Sequence, residues 1–230
     1  MRTIVYYLAT AGYNEAERER RLAEMAPFIP DGYRIQFISA PKGPEFLDRA
    51  VDFDHAISAV ADHISTLSPK EYDAIIEGGA LDPGLHDARR LARVPVIGPG
   101  EAGLFVAAIG GLRTSIVTVD EHAVAAAQRF VDQTATKPEI ASIRSMNTPV
   151  RTIVSDLERG REALVREASA ALREDGAEAI YLGSMTLPTL GLTKMLREEL
   201  NVPVYDPLRI AIQTAVEVVT SRLGDVNSTS

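Results

Sequence analysis

Asp73-Ala-Ile-Ile-Glu-Gly-Gly79 and Glu178-Ala-Ile-Tyr-Leu-Gly-Ser184 are the two stretches on which the fold turns. Each is a short apolar run ending in a small residue. Each is followed by a Pro, a helical pattern and a near-identical tail. The tails are Val94-Pro-Val-Ile-Gly-Pro99 and Val202-Pro-Val-Tyr-Asp-Pro207. Ala-Ile-Ile and Val-Pro-Val are generic strand words, but their shared order reads as an internal repeat. This register sets Gly79 opposite Ser184 and Gly98 opposite Asp206. Two such units form a pseudo-dyad whose strand ends face a common cleft.

Working outward, short apolar runs alternate with longer amphipathic ones. Strands are predicted at Thr3–Leu8, Tyr33–Ser39, Asp73–Gly78 and Pro95–Gly98. Helices are predicted over Asn14–Met25, Phe53–Leu67 and Pro83–Leu91. The second half reads as helix Glu101–Ile109, strand Arg113–Val119, helix Glu121–Thr134 and strand Ile140–Met146. One long helix, Ser155–Glu174, then precedes strand Ala177–Gly183. Helix Leu190–Leu200, strand Val202–Tyr205 and helix Leu208–Leu223 complete the pattern. Strand–helix alternation implies parallel sheets covered by helices. The expected fold is therefore α/β, with two pseudo-symmetric flavodoxin-like halves and a cleft between them. Residues 1–98 with 208–230 are expected to form the first half, and 99–207 the second. Ligands in such sheets bind beyond the carboxyl ends of the strands.

Composition removes several functional classes. The 230 residues carry a net charge of −8, which disfavours nucleic acid and anionic membrane surfaces. No stretch approaches the ~18 apolar residues of a membrane helix. The N-terminal run is too short for a signal peptide, and a cytoplasmic location is expected. The absence of Cys excludes disulfides, thiolate metal sites and thiol nucleophiles. No His-x-x-x-His spacing, dinucleotide fingerprint, phosphate-binding Lys loop or Gly-x-Ser-x-Gly elbow occurs, so no metal or cofactor is expected. The charge run Glu15–Arg21 reads as a solvated helix face.

From Asp73 onward the words match a known family. Asp82-Pro83-Gly84-Leu85, the later Glu101-Ala102 and Ser115-Ile-Val-Thr118 resemble segments of the aspartate/glutamate/hydantoin racemase superfamily, especially its hydantoin racemase branch. Ile180-Tyr-Leu-Gly-Ser184 and the second tail resemble its second catalytic segment and closing strand. Before Asp73 the likeness weakens: Leu8-Ala-Thr10 stands where the family usually has an Asn-Pro-Asn turn. The resemblance implies an enzyme acting on a small carboxylate or cyclic amide, and assembly of several copies. Members typically use two cysteines, one from each half, on opposite faces of an acidic C–H. By this resemblance the two thiol positions are Gly79 and Ser184. Glycine has no proton to exchange, and a serine hydroxyl is far less acidic than a thiol. Arylmalonate decarboxylases, also in the superfamily, share a Gly at the first position but keep the second thiol. The chemistry expected here is therefore cysteine-independent: racemase-related, or shifted toward decarboxylation, elimination or hydrolysis. A non-catalytic ligand binder built on the same fold is the alternative.

What the resemblance leaves intact is an anion cradle. Main-chain N–H groups around Gly79–Ala80 and Ser184–Met185 are candidate donors. The hydroxyls of Ser184, Thr186 and Thr118 add to them, and Thr10 ends the first strand. Glu77 interrupts an apolar strand. It reads either as a buried base with a raised pKa or as a partner for a cation on a covering helix. Asp82 reads as a helix cap or a ligand contact, and Glu101 as a cap or a brace. His122 follows a strand end and reads either as a catalytic base that, like Glu77, could activate the Ser184 hydroxyl, or as a surface histidine on the first turn of a helix. The other named histidines, His55, His63 and His86, read as surface or packing residues. Asp206 ends the last cleft strand, and either points into the site or forms a turn before Pro207.

Overall fold

The computed structural model describes residues 1–10, 14–41 and 60–224. Two four-stranded parallel sheets form, each with the same strand order. The first contains β1 (Arg2–Leu8), β2 (Tyr33–Ser39), β3 (Ala74–Glu77) and β4 (Val96–Ile97), ordered β2-β1-β3-β4. The second contains β5 (Thr114–Thr118), β6 (Ile140–Ser145), β7 (Ala179–Leu182) and β8 (Val204–Tyr205), ordered β6-β5-β7-β8. This doubly wound order reverses direction between the two central strands, where a crevice opens at the carboxyl ends. The registers repeat as well: Tyr7 pairs with Glu77 in the first sheet, and Val117 with Leu182 in the second. Glu77 thus stands where the repeat has Leu182.

The helices are α1 (Glu15–Met25), α2 (Leu85–Leu91), α3 (Pro99–Gly110) and α4 (Glu121–Gln133). They continue with α5 (Val150–Ser155), α6 (Leu157–Glu174), α7 (Thr186–Thr189), α8 (Leu192–Leu200) and α9 (Pro207–Gly224). Residues 60–64 are also helical; the rest of the predicted Phe53–Leu67 helix, with His55, lies largely outside the described residues. Side-chain caps start several helices. Asn14 accepts from the Glu17 amide, and Asp120 from the Ala123 amide.

Apolar faces of period 3.6 bury these helices on the strands. Leu208, Ala211, Ile212, Ala215 and Val219 of α9 pack with Ile4, Tyr6 and Ile76 of the first sheet. Leu164, Ala168 and Ala171 of α6 pack with Val117, Ile180 and Leu182 of the second. Leu104 of α3 joins Ile116 and Tyr181, also of the second sheet. Met185, which follows β7, joins the core around Ile4 and Ile76. The two halves therefore share apolar contacts at their strand ends.

Two predicted helices start two residues later than expected, each behind a separate short helix. The long helix begins at Leu157, because Asp156 adopts φ −142° and accepts from the Arg159 amide. Val150–Ser155, on the other side of Asp156, form the separate α5. The expected Leu190–Leu200 helix starts after Gly191, whose φ of 76° breaks it from α7. A capping Asp and a left-handed Gly act as stops that apolar periodicity does not register.

Candidate active site

The carboxyl ends of the four central strands converge on one cavity of about 120 Å³. From the first half it is lined by Leu8, Ala9 and Thr10 after β1, and by Glu77, Gly78, Gly79, Ala80, Leu81 and Pro83 after β3. From the second half come Thr118 and Val119 after β5, Gly183, Ser184, Met185 and Thr186 after β7, and Ala123 and Val150. A dry cavity of ~150 Å³ holds a benzene ring, so this space suits a small ring or a short acid. Among the described residues, no Lys, Arg or His lines it.

Glu77 ends a strand whose other residues are apolar, and its side chain is fully buried. One carboxyl oxygen, Oε2, accepts from the Gly79 amide at 3.0 Å. The other, Oε1, has no hydrogen-bond partner among the described residues. No cation among the described residues offsets the burial. Desolvation first, and then the nearby Asp82 carboxyl, hold Glu77 well above the usual carboxylate range. Its strand neighbour Tyr7 bonds His63 Nδ1 through its hydroxyl at 3.0 Å. That contact accounts for His63, which burial pushes below its ordinary value.

The donors are of two kinds. The Gly79 amide is used by Glu77, and the Thr186 amide donates to Ser184 Oγ at 3.3 Å. The amides of Ala80, Ser184 and Met185 have no acceptor among the described residues. The Thr118 hydroxyl donates to the Gly183 carbonyl at 3.2 Å, so its oxygen is left as an acceptor.

Position 79 is closed to a larger side chain. A Cβ there would lie 2.5 Å from Pro83 Cδ and 3.0 Å from Glu77 Oε2. The Glu77 carboxyl and the Pro83 ring occupy the space where a residue-79 side chain would begin.

Two residues considered at the sequence level lie elsewhere. His122 is exposed on the first turn of α4 and does not line the cavity. Asp206 is buried and used twice: Oδ1 accepts from the Arg209 amide at 3.0 Å, and Oδ2 from Thr193 Oγ1 at 2.8 Å. It caps α9 and is not among the residues that line the cavity. Asp82 caps a helix other than the one it precedes. Its carboxyl accepts from the Gly100 amide at 2.8 Å and the Glu101 amide at 2.6 Å, at the start of α3. Gly98 leaves room for this, since a Cβ there would meet Asp82 Oδ2 at 2.5 Å. Glu101 pairs with Arg89 on the surface.

Burial, helped by the neighbouring Glu101, pushes Asp82 up to about 7 against the two amide bonds. Its folded value exceeds the ordinary 3.8, so the folded chain holds this proton more tightly than the unfolded one. The contribution is full below about 3.8 and is lost as pH rises toward about 7. Urea midpoints between pH 4 and 7 should therefore fall less steeply in Asp82→Asn than in the parent chain. Parallel slopes would contradict a shared proton at this cap.

Two four-stranded parallel sheets of the same strand order, with one crevice at their switch points lined by both repeats, define a two-lobed α/β protein. The Asp/Glu/hydantoin racemase family model matches residues 16–215, and the chain belongs to that family. It is 30% identical over 186 residues to a hydantoin racemase of Pseudomonas sp. (strain NS671), covering 81% of this chain and 74% of that one. The solved allantoin racemase from Klebsiella pneumoniae superposes with a TM-score of 0.85 at 26% identity, over 96% of this chain and 89% of that one. Arylmalonate decarboxylase shares the fold with a TM-score of 0.63 at 20% identity, over 94% and 92% of the two chains. Racemase homologues make an enzyme the expected role. No helix among the described residues is long and apolar enough to cross a membrane.

Proposed function

We infer that this chain is an enzyme that removes and returns a proton beside the carbonyl of a small neutral cyclic amide. Glu77 serves as the acid–base group in place of a thiol. The observation that carries the reading is the Glu77 carboxyl: buried, with one oxygen unpartnered among the described residues, and at the wall of a cavity where the amides of Ala80, Ser184 and Met185 likewise have no acceptor among them. Glu77 as carboxylate takes the proton. The amides of Ala80, Ser184 and Met185 supply donors for the oxygen that gains charge. A low-dielectric site of this kind strengthens each donor, and fixed backbone needs no reorganisation. Protonated Glu77 then returns the proton to the face it came from. Ser184, from the other repeat, binds ligand through its hydroxyl and is too weak an acid to deliver rapidly from the opposite face.

The ligand class follows from charge. A carboxylate ligand would meet the Glu77 carboxyl in a cavity that, among the described residues, is lined by no cation, and burying two like charges is costly. A neutral cyclic amide avoids this penalty. Decarboxylation, which needs a carboxylate, is the less favoured chemistry on the same ground. The mixed lining, with Glu77, Thr118 and Ser184 among apolar walls, favours an enzyme over a purely apolar binder. Assembly of copies is supported by the apolar outer face of α3, where Phe105, Val106 and Ile109 are exposed.

The test is isotope exchange in heavy water with single enantiomers of 5-substituted hydantoins, allantoin and small chiral carboxylates. The expected result is deuterium entry at the acidic carbon of a cyclic amide, faster than loss of optical rotation. Because the base must be ionised, exchange should quicken as pH rises toward the elevated Glu77 value. Absence of label across the panel would refute the reading.

A further inference from the structure

The two turns that carry the free amides are built alike. After β3, the Asp82 amide donates to the Gly79 carbonyl at 3.2 Å. After β7, the Leu187 amide donates to the Ser184 carbonyl, also at 3.2 Å. In the repeat register Ala80 and Met185 are the equivalent second residues of these turns. Both carbonyls accept from side chains, the Met185 carbonyl also from the Thr189 amide at 3.3 Å, and neither side chain is the repeat counterpart of the other.

The Ala80 carbonyl accepts from the Tyr181 hydroxyl at 3.1 Å, a buried bond between residues 101 apart. Tyr181 belongs to β7 of the second sheet, and its repeat counterpart is the apolar Ile76. Its ring fits because α3 carries Gly103 opposite it: a Cβ there would lie 2.6 Å from Cε2 and 3.2 Å from the hydroxyl. The Met185 carbonyl accepts from Thr189 Oγ1 at 2.7 Å. That same oxygen accepts from Nη1 of Arg21, on α1 of the first half. Arg21 is buried and is itself held by Glu17, whose Oε1 accepts from Nε at 2.8 Å.

We propose that each repeat positions the donor turn of the other. Tyr181 fixes the first turn, and Arg21, acting through Thr189, fixes the second. The amide geometry of the cavity is then set by the docking of the halves and not by either sheet alone. Tyr181, Arg21 and Thr189 are positioning residues: none needs to touch ligand. The link to catalysis rests on the reading of these amides as ligand donors. The anchoring itself does not.

Backbone amide hydrogen exchange, followed by NMR without any ligand, tests the anchoring. The probes are the Asp82 and Leu187 amides, one in each turn. Tyr181→Phe removes a single hydroxyl. It should speed exchange of the Asp82 amide about tenfold, the scale of one net hydrogen bond, and leave Leu187 within about twofold. Thr189→Val should do the reverse. Gly103→Ala, which displaces the Tyr181 ring, should repeat the Tyr181→Phe pattern. Unchanged exchange in both turns, or equal acceleration of both turns and the sheets, would overturn the proposal. A second measurement separates this inference from the functional one. If the parent chain exchanges a cyclic amide, Tyr181→Phe and Thr189→Val should lower kcat about tenfold with KM changed less than threefold. Equal loss in KM alone would count against positioning. No exchange by the parent would defeat the proposed reaction, and the ligand-free amide result would still decide the anchoring.

Discussion

Glu77→Gln is expected to abolish carbon–hydrogen exchange while leaving ligand binding nearly intact. Gln is the same size, still offers an oxygen to the Gly79 amide, and cannot take a proton. General-base removal typically costs about 10²–10⁴-fold in rate, so exchange should fall to near the uncatalysed level. The same substitution should alter stability in a direction that a simple loss of contacts would not produce. Burial raises the Glu77 pKa, so the folded chain favours its protonated form. Stability from this preference is full below the ordinary carboxylate value and fades as pH rises through the elevated one. Gln stays neutral throughout. Glu77→Gln should thus melt higher than the parent at pH 8, with the difference closing toward pH 4. A variant that exchanges at parental rate would remove Glu77 from the chemistry. One that melts lower at every pH would show that its carboxyl is paired.

The second large effect concerns the positions where the family resemblance places thiols. Ser184→Cys introduces a group with an ordinary pKa near 8.5, from the repeat opposite Glu77. Proton delivery to the second face then becomes available. Racemisation of a chiral cyclic amide should rise by about 10²-fold or more toward the rate of isotope exchange. Gly79→Cys should give no such gain. Its Cβ would overlap the Pro83 ring and crowd Glu77, so the chain should lose about 1–3 kcal/mol of stability from overpacking. Adding Pro83→Ala should recover much of that loss. Optical rotation and proton NMR, run in parallel on the same sample, separate the two rates. A Ser184→Cys chain that exchanges without racemising would show that residue 184 does not reach the substrate's far face.

The strand order and cleft were legible because the repeat is written in strand-scale words. Asp73–Gly79 and Glu178–Ser184 carry both the period and the punctuating Gly and Pro residues. The placement of Glu77, Gly79, Ser184 and Thr186 at strand ends follows directly from that register. Helix stops were less visible. Asp156 and Gly191 act through single caps and one left-handed residue, which apolar spacing averages over. Cross-connections were not legible at all. Asp82 reaches the amides of residues 100 and 101, and Tyr181 reaches Ala80 across the chain. Nothing local in either sequence names its partner. The one available signal was the mismatch between repeats: a Tyr facing an Ile, a Glu facing a Leu, and a Gly facing an Asp mark where the halves have parted.

The two helix caps make that divergence concrete. In the second half Asp206 caps the helix that follows its own strand, whereas in the first half Gly98 leaves the place to Asp82. The cap comes from the strand end in one half and from the loop beside the cavity in the other. Copying one lobe to make a symmetric protein would consequently fail in either direction. A doubled first lobe would lack the tyrosine that steadies its neighbour, and a doubled second lobe would have Leu182 in place of the Glu77 carboxyl. The ancestral likeness survives in the chain's path, but the working parts are no longer interchangeable.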